Sequence, residues 1–362
     1  MPRIYHVITD KNVGGGGRVL SSLLSHAKSR FFSYRVLLPK SSDLAPYLRD
    51  KGISVIELNG VKDTSFSFSS FLSFYRYLRE NPCDILISHA SLSARAAGRA
   101  LGVPLLLAVK HCAAGRFRFP RLYRVLTHHT LAVSENARTH LLSLGIPQEE
   151  IAVIENGAPP ISPPSEEERR SARALFGIPQ SDIAVGLSGR LARIKGHETA
   201  VYALKEALAH LPSLSLWFLG EGEEMERLSS LATSLGIGEK VHFLGFSSDT
   251  LPFYHALDAH ISCSLGSETA SLSLAEGMCA GCATFASDIE GNRARVGAGG
   301  VLFPVGDAHA LASLFLSLGE KEGRAHYRAI ALSRAKKLPT EKESAEGVEA
   351  LLLSLYKKRL HF

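Results

Sequence analysis

The sequence has no apolar run near the ~18 residues that a membrane-crossing helix needs. Its long apolar stretches, such as VPLLLAV at 103–109, have the length of buried strands instead. The opening MPRIYHVITD lacks the basic–apolar–small pattern of a signal peptide and reads directly as a strand. Five cysteines, an odd number without framework spacing, exclude a disulfide scaffold and favour a reducing compartment, so the expected location is cytoplasmic. Internal repeats and low-complexity tracts are missing, which excludes a solenoid. A complete dinucleotide fingerprint is missing too. In NVGGGGR (12–18) the third glycine of G-x-G-x-x-G is replaced by Val19 or Leu20, and the second strand ends in Leu38-Pro39-Lys40 rather than an acid. A nicotinamide cofactor is therefore disfavoured.

What is present is an α/β pattern. A chain of 362 residues with 45% hydrophobic and 21% charged residues suits two globular domains. Short β-branched runs alternate with helix-patterned stretches, which predicts parallel sheets. RIYHVIT, YRVLLP, SVIEL, DILISH, PLLLAVKH, HTLAVS and IAVIEN form a first series of strands. AVGLSGR, LSLWFLG, KVHFLGF, AHISCS, CATFASD and GVLFP form a second. Between the series, GAPPISPPSEEERR (157–170) reads as a proline-rich linker leading into a helix near Glu166. Two Rossmann-like, doubly wound domains are expected, at 1–165 and 166–340, with an amphipathic helix from about 341 to the end. Such a pair would enclose a cleft, with ligands outside the carboxyl ends of the strands.

Charge is divided unevenly. Residues 1–178 hold 23 Lys and Arg against 14 Asp and Glu, or +9, and the remainder holds 18 against 21, or −3. A basic first half suits an anionic partner such as a membrane surface, a phosphorylated lipid or nucleic acid; a solvated surface with chance asymmetry is the competing reading. The string GRFRFPRLYR (115–124) interleaves four arginines with Phe117, Phe119 and Tyr123, as a membrane-surface patch or as a loop with core aromatics.

Three stretches can carry chemistry. Four consecutive glycines (Gly14 to Gly17) allow close backbone approach to a ligand ahead of a helix whose N–H groups can meet an anion. In LSGRLARIKGHE (187–198), Arg190 and Lys195 pair a planar fork with a mobile point charge, which suits a diphosphate. In GSETASLSLAEGMCAG (266–281), Glu268 precedes a helix starting near Leu272 and Glu276 lies within it. Eight residues span at most ~12 Å if helical, and the free N–H groups from Ala270 to Leu272 lie between the carboxylates. A helix-cap glutamate plus a salt-bridged one is the bland alternative.

GRLARIKG, FLGEGEE, VHFLGF, HISCSLGSETASLSLAEGMCAG and IENGAP resemble, in order and spacing, the retaining glycosyltransferases of family 4 (bacterial glycosyl transferases group 1), which have the GT-B fold. Glu268-x7-Glu276 matches the family's glutamate pair, and the glycine stretch, His111, Ser134 and Asn156-Gly157 also match. The resemblance implies an acceptor-binding first domain, with the final helix packing back on it, and a donor-binding second domain. It implies a catalytic set of Arg190, Lys195, Glu268 and His111. Arg190 and Lys195 would hold the donor diphosphate, Glu276 the ribose and Glu268 the sugar, with His111 near that sugar. Gly15, Gly16 and Gly17 would close over the phosphates. Gly189, Glu221 and Phe246 would line the donor site, the last two beside the base, with Thr269, Ala270, Ser271 and Leu272 at the phosphates. The family's usual Gly-Phe-Gly is here Thr269-Ala270-Ser271, so sugar preference does not carry over. Cys279-Ala-Gly-Cys282 falls where the family has small packing residues, not a redox centre.

The implied enzyme moves a hexose or N-acetylhexosamine from a nucleotide-diphosphate sugar, most simply a UDP-sugar, to a hydroxyl of a sugar, a lipid-linked acceptor or another glycoconjugate. It needs no cofactor or metal, binds no nucleic acid and sits in the cytoplasm or peripherally at the inner membrane face. A GT-B-fold nucleotide-sugar epimerase and a nucleotide-sugar-binding protein without transfer activity are the alternatives.

Overall fold

A computed structural model describes residues 1–27, 31–111, 120–266 and 268–360. The segment GRFRF at 115–119, with Phe117 and Phe119, lies outside the described residues. The chain divides into two compact units: Met1–Gly157 with Pro339–Phe362, and Ala158–Leu338.

Among the described residues the first unit is built on seven strands: β1 (Arg3–Ile8), β2 (Ser33–Pro39), β3 (Val55–Leu58), β4 (Ile85–His89), β5 (Leu105–Lys110), β6 (His129–Ala132) and β7 (Ile151–Val153). They pair in parallel in the order β3-β2-β1-β4-β5-β6-β7. The apolar runs are continuous rather than alternating because both faces are covered. Tyr5, Val7, Leu37, Leu86 and Leu106 fill one side with Phe74 and Leu78. Ile8, Val36 and Leu38 fill the other with Leu20, Leu24 and Leu44.

The second unit has β8 (Ile183–Ser188), β9 (Leu214–Leu219), β10 (Val241–Phe243), β11 (Ala259–Ser262), β12 (Ala283–Ser287) and β13 (Val301–Phe303). All are parallel, in the order β10-β9-β8-β11-β12-β13. Val185, Leu187, Leu216 and Phe218 face one core. Ala184, Trp217 and Leu219 face the other, with Phe253 and Leu257. Each strand series expected from the sequence is thus one sheet, and the fold class is the doubly wound α/β arrangement.

The first unit ends at Gly157 rather than residue 165, because the linker already packs on the second unit. Ala158 is buried there against Ala275 and Met278, and Ile161 lies against the same cluster. The helix Glu166–Phe176 then opens with a capping box, in which Ser165 and Glu168 satisfy each other's backbone N–H groups. It is fastened by Arg173, whose guanidinium donates to Asp258 at 2.7 Å and to the carbonyl of Ala256 at 3.0 Å.

The final helix, Glu341–Leu360, packs within the first unit along the helix Gly15–His26. Tyr34 donates its hydroxyl proton to Glu349 at 2.7 Å, and Phe32 meets Tyr356 edge-on. Gly157 is held glycine by this return, since a Cβ there would lie 2.4 Å from the Glu341 backbone.

Candidate active site

In an open parallel sheet, ligands bind where the strand order reverses. In the second unit that point lies between β8 and β11, the strand neighbours that run in opposite directions of sequence order. The loop after β8 carries Arg190 and Lys195; the loop after β11 carries Glu268.

Two close backbone approaches bring these loops together. The N–H of Leu265 donates to the carbonyl of Ile194 at 2.8 Å. Gly196, at φ 65°, passes so near Cys263 that a Cβ would lie 2.1 Å from its carbonyl oxygen. Lys195 is thereby placed to donate to Glu268 Oε2 at 2.6 Å, and the Ser264 hydroxyl donates to the same oxygen at 2.9 Å. Gly291 supports the glutamate from behind, where a Cβ would meet the Glu268 carbonyl at 2.0 Å. Both side chains of the ion pair keep partial exposure, 31% for Lys195 and 18% for Glu268, so the pair is open to a ligand. Arg190 is exposed and makes no ion pair with either carboxylate among the described residues.

Glu276 is different. It lies on the helix Leu272–Ala280 and is only 2% exposed. A buried carboxylate needs partners, and Tyr254 supplies one by donating its hydroxyl to Glu276 Oε2 at 2.6 Å. That leaves the Tyr254 oxygen to accept from Ser188 at 2.6 Å, and Ser188 in turn contacts His260 Nε2 at 3.3 Å. No local pattern in the sequence marks Tyr254, Ser188, His260 or Ser264. Tyr254 and Ser188 lie within apolar runs, and only the folded sheet aligns them behind the glutamate.

Ser271 caps the helix Leu272–Ala280, its hydroxyl accepting from the N–H of Leu274 at 3.3 Å. The hydroxyl introduced in place of a family glycine is therefore engaged by the helix itself. Thr269 is buried, and Ala270 and Leu272 are half-buried beside it. Glu221 and Phe246 do meet: the Phe246 N–H donates to Glu221 Oε1 at 3.3 Å, while the Phe246 ring is 53% exposed. Gly189 and Gly220 cross at φ 145° and 142°, with no room for a Cβ at Gly220 beside the Gly189 carbonyl. Cys279 and Cys282 are buried thiols pushed up by desolvation to about 11 and about 12, the opposite of a reactive pair.

In the first unit the order reverses between β1 and β4. Here the expected glycine loop is corrected. Gly15, Gly16 and Gly17 form the first turn of the helix Gly15–His26, with Gly14 as its cap. None of these glycines has positive φ; what holds Gly17 is space, since a Cβ there would lie 2.7 Å from the buried Leu44 side chain. A Cβ on Gly16 would lie 3.9 Å from the His111 ring, whereas Gly15 faces open space.

His111 follows β5 and stacks on His89 at the end of β4, with Nε2 2.8 Å from His89 Nδ1. His89 Nε2 is 3.2 Å from His6 Nδ1 on β1. Burial holds His6 down to about 3 and His111 to about 4, and holds His89 well below the usual imidazole range, so all three are neutral. His6 and His89 were not singled out in the sequence, because only the strand register brings them to His111. Ser134 caps the helix Glu135–Ser143 by accepting from the Ala137 N–H at 3.1 Å. In the arginine-rich string, Tyr123 is a core residue hydrogen-bonded to Thr130 and Arg124 pairs with Glu150 at 2.8 Å, while Leu122 and Val125 are exposed.

Two doubly wound parallel sheets in one chain are the architecture of the GT-B glycosyltransferases. Residues 13–160 match the family model described as Glycosyltransferase Family 4, and residues 168–335 match Glycosyl transferases group 1. The chain belongs to this family. The lipopolysaccharide core biosynthesis glycosyltransferase LpsE of Rhizobium meliloti is 34% identical over 142 residues, 39% of this chain and 40% of that protein. A phosphatidyl-myo-inositol mannosyltransferase of Mycolicibacterium smegmatis is 30% identical over 181 residues, 48% of this chain and 46% of its own length. The matched stretches thus span under half the length of these curated relatives. Among solved structures, Anabaena HepE in complex with UDP and glucose superposes with a TM-score of 0.84 at 20% identity, covering 98% of this chain and all of that one. WaaG, a glycosyltransferase involved in lipopolysaccharide biosynthesis, gives 0.73 at 16% identity over 96% and 99% of the two chains. At these identities the superpositions speak for the fold.

Proposed function

We propose that this chain is a retaining, metal-independent glycosyltransferase that moves a hexose or N-acetylhexosamine from a UDP-sugar to a hydroxyl of a glycolipid, polysaccharide or similar acceptor. One observation carries the reading: the Lys195–Glu268 pair at the second unit's switch point, with the buried Glu276 eight residues on. Glu268 grips the donor sugar's hydroxyls and Glu276 the ribose hydroxyls. The helix N-terminus at Leu272 offers N–H groups to the diphosphate, and Lys195 with Arg190 offsets the charge that grows on it as the sugar leaves. The departing diphosphate takes the acceptor's proton on the same face, so configuration is retained. A relative in lipopolysaccharide core biosynthesis, a relative that is a phosphatidyl-myo-inositol mannosyltransferase, and a structural neighbour solved with UDP and glucose support this class of acceptor and donor.

No described helix is long and apolar enough to cross a membrane. The basic first half instead meets an anionic membrane surface from the cytoplasmic side, where a lipid-linked acceptor is presented.

The experiment is calorimetric titration with nucleoside diphosphates and nucleotide sugars, without added metal, with NAD as the control. Micromolar binding of UDP that weakens in Lys195→Ala and Glu276→Ala supports the donor assignment; no binding to any nucleotide defeats it. Conversion of the donor to its epimer without acceptor would identify an epimerase instead.

A further inference from the structure

We propose that Arg99, His128 and Arg359 form a binding site for a phosphate-class oxyanion at the amino edge of the first sheet. All three belong to the first unit, and the site does not depend on the transferase reading above. It lies at the opposite edge from His111: His128 touches Leu106 near the start of β5, and His111 follows the end of that strand. Five residues of strand separate the two places by roughly 16 Å.

His128 stands directly before β6, and its ring joins the sheet's hydrogen bonding. The backbone N–H of Leu106 donates to His128 Nδ1 at 3.0 Å, while the His128 N–H donates to the Leu106 carbonyl at 2.8 Å. The first bond fixes the lone pair on Nδ1, so the ring proton is on Nε2. Burial, with Arg359 and Arg99 next, holds the imidazole down to about 4, so the ring is neutral at pH 7.

Nε2 then meets two groups that are also donors only. Arg99 Nη1 and Arg359 Nη2 each lie 3.3 Å from it. Arg359 is anchored by its Nε, which donates to the carbonyl of Pro104 at 3.0 Å. Among the described residues neither guanidinium pairs with a carboxylate. Three donors therefore converge with no acceptor between them.

The helix dipole favours cations in the last turns of Leu92–Ala100 and Glu341–Leu360, which carry Arg99 and Arg359. That explains basic residues there, but not two guanidiniums drawn onto an imidazole N–H. A tetrahedral oxyanion explains all three, since it accepts from several directions and offsets the repulsion among them. The two helix ends carry about −0.5 charge each, which the two guanidiniums outweigh. Lys357 and Lys358 in the same final turn add to the positive field. Glu150, which bears on the neighbouring His129, is already held by Arg124 at 2.8 Å. Half-buried His128 forms the floor, and Arg99 and Arg359 are exposed, so a ligand can enter from solvent.

The test is titration of the full chain with inorganic phosphate at constant ionic strength, read at the His128 ring by 15N-histidine labelling and assigned with His128→Phe. This readout separates the site from any phosphate bound near Arg190 and Lys195. An Nε2–H tautomer is expected without phosphate, and a saturable shift of the ring signals with it. Arg99→Gln and Arg359→Gln should each raise the dissociation constant at least about 10-fold, the loss of one charge-assisted bond. Lys321→Gln, at an exposed position of the second unit, should leave it unchanged. Sedimentation with phosphatidic acid vesicles, lost in the same arginine variants, would name a lipid headgroup as the source; phosphate binding without vesicle binding would name a free phosphate. An Nδ1–H tautomer, no saturable shift at His128, or equal affinity in both arginine variants overturns the proposal and leaves solvated cations at two helix ends.

Discussion

Lys195 Nζ and Glu268 Oε2 lie 2.6 Å apart although 73 positions separate them in the chain. The contact joins the loops after β8 and β11 across the switch point, and in the proposed function this cation and carboxylate meet the departing diphosphate and the sugar. Glu268→Gln and Lys195→Ala are each expected to lower kcat/KM at least about 100-fold, the scale of a lost transition-state contact. Steady-state transfer assays with the identified donor check this, and wild-type rates in either variant remove that residue from the site. The double variant should lose less than the two single losses together, because the residues act on one another.

Tyr254 stands between Ser188 and Glu276 in a buried hydrogen-bonded line. Tyr254→Phe keeps the ring packing and removes the donor to a buried carboxylate, at about 1–3 kcal/mol. Nucleoside diphosphate affinity measured by calorimetry is expected to drop about 10-fold or more, with heat of binding still seen. Unchanged affinity would show that Glu276 keeps its position without the tyrosine.

The helix Gly15–His26 allows a paired test. Gly17→Ala puts a methyl against buried Leu44, 2.7 Å from its Cδ1, and is expected to destabilise the fold by about 1–3 kcal/mol through overpacking. Gly15→Ala faces open space and should be neutral or stabilising by up to about 1 kcal/mol. Urea unfolding curves separate the two. If Gly15→Ala is stable yet loses donor affinity, close approach of the ligand to that first turn is the reason.

Arg173 is nearly sealed from solvent and donates to Asp258 at 2.7 Å. Arg173→Met removes one partner of a buried pair, an effect of about 3–5 kcal/mol, toward the low end here because Arg169 still holds Asp258 at 2.7 Å. Denaturant titration of the full chain measures it, and a loss under about 1 kcal/mol would mean that Arg169 suffices.

Buried histidines also set an acid limit. Burial lowers His6 and His260 to about 3 and His111 and His197 to about 4, against an ordinary value of about 6.5. Between about pH 6.5 and 4 the unfolded chain takes up protons that the folded one refuses, so stability is fully present above 6.5 and falls as pH drops. Each histidine adds up to about 1.4 kcal/mol per pH unit in that window. Melting temperatures from pH 7.5 to 5 should fall, and His260→Phe, if folded, should flatten the slope. A flat wild-type profile would contradict neutral burial.

Periodicity made the architecture legible. The thirteen runs read as strands fall on thirteen strands among the described residues, because a parallel strand covered on both faces is largely apolar. Spacing placed Arg190 and Lys195 on one loop and Glu268 and Glu276 around one helix start for a similar reason: a loop and a single helix fix such separations locally. The linker was harder. GAPPISPPS marks a break in regular structure, but only the burial of Ala158 and Ile161 assigns it to the second unit.

The sequence by itself determined the two-sheet class and the local chemistry of each loop, since both follow from patterns within about thirty residues. Tertiary structure decided what no local pattern encodes. It bonded Lys195 to Glu268, set Tyr254 behind Glu276, made a helical turn of the three glycines and ran His6, His89 and His111 into one hydrogen-bonded line. The reason is strand order. β1 and β4 are neighbours in the sheet but not in the chain, as are β8 and β11, so which side chains meet depends on register across strands rather than on distance along the sequence.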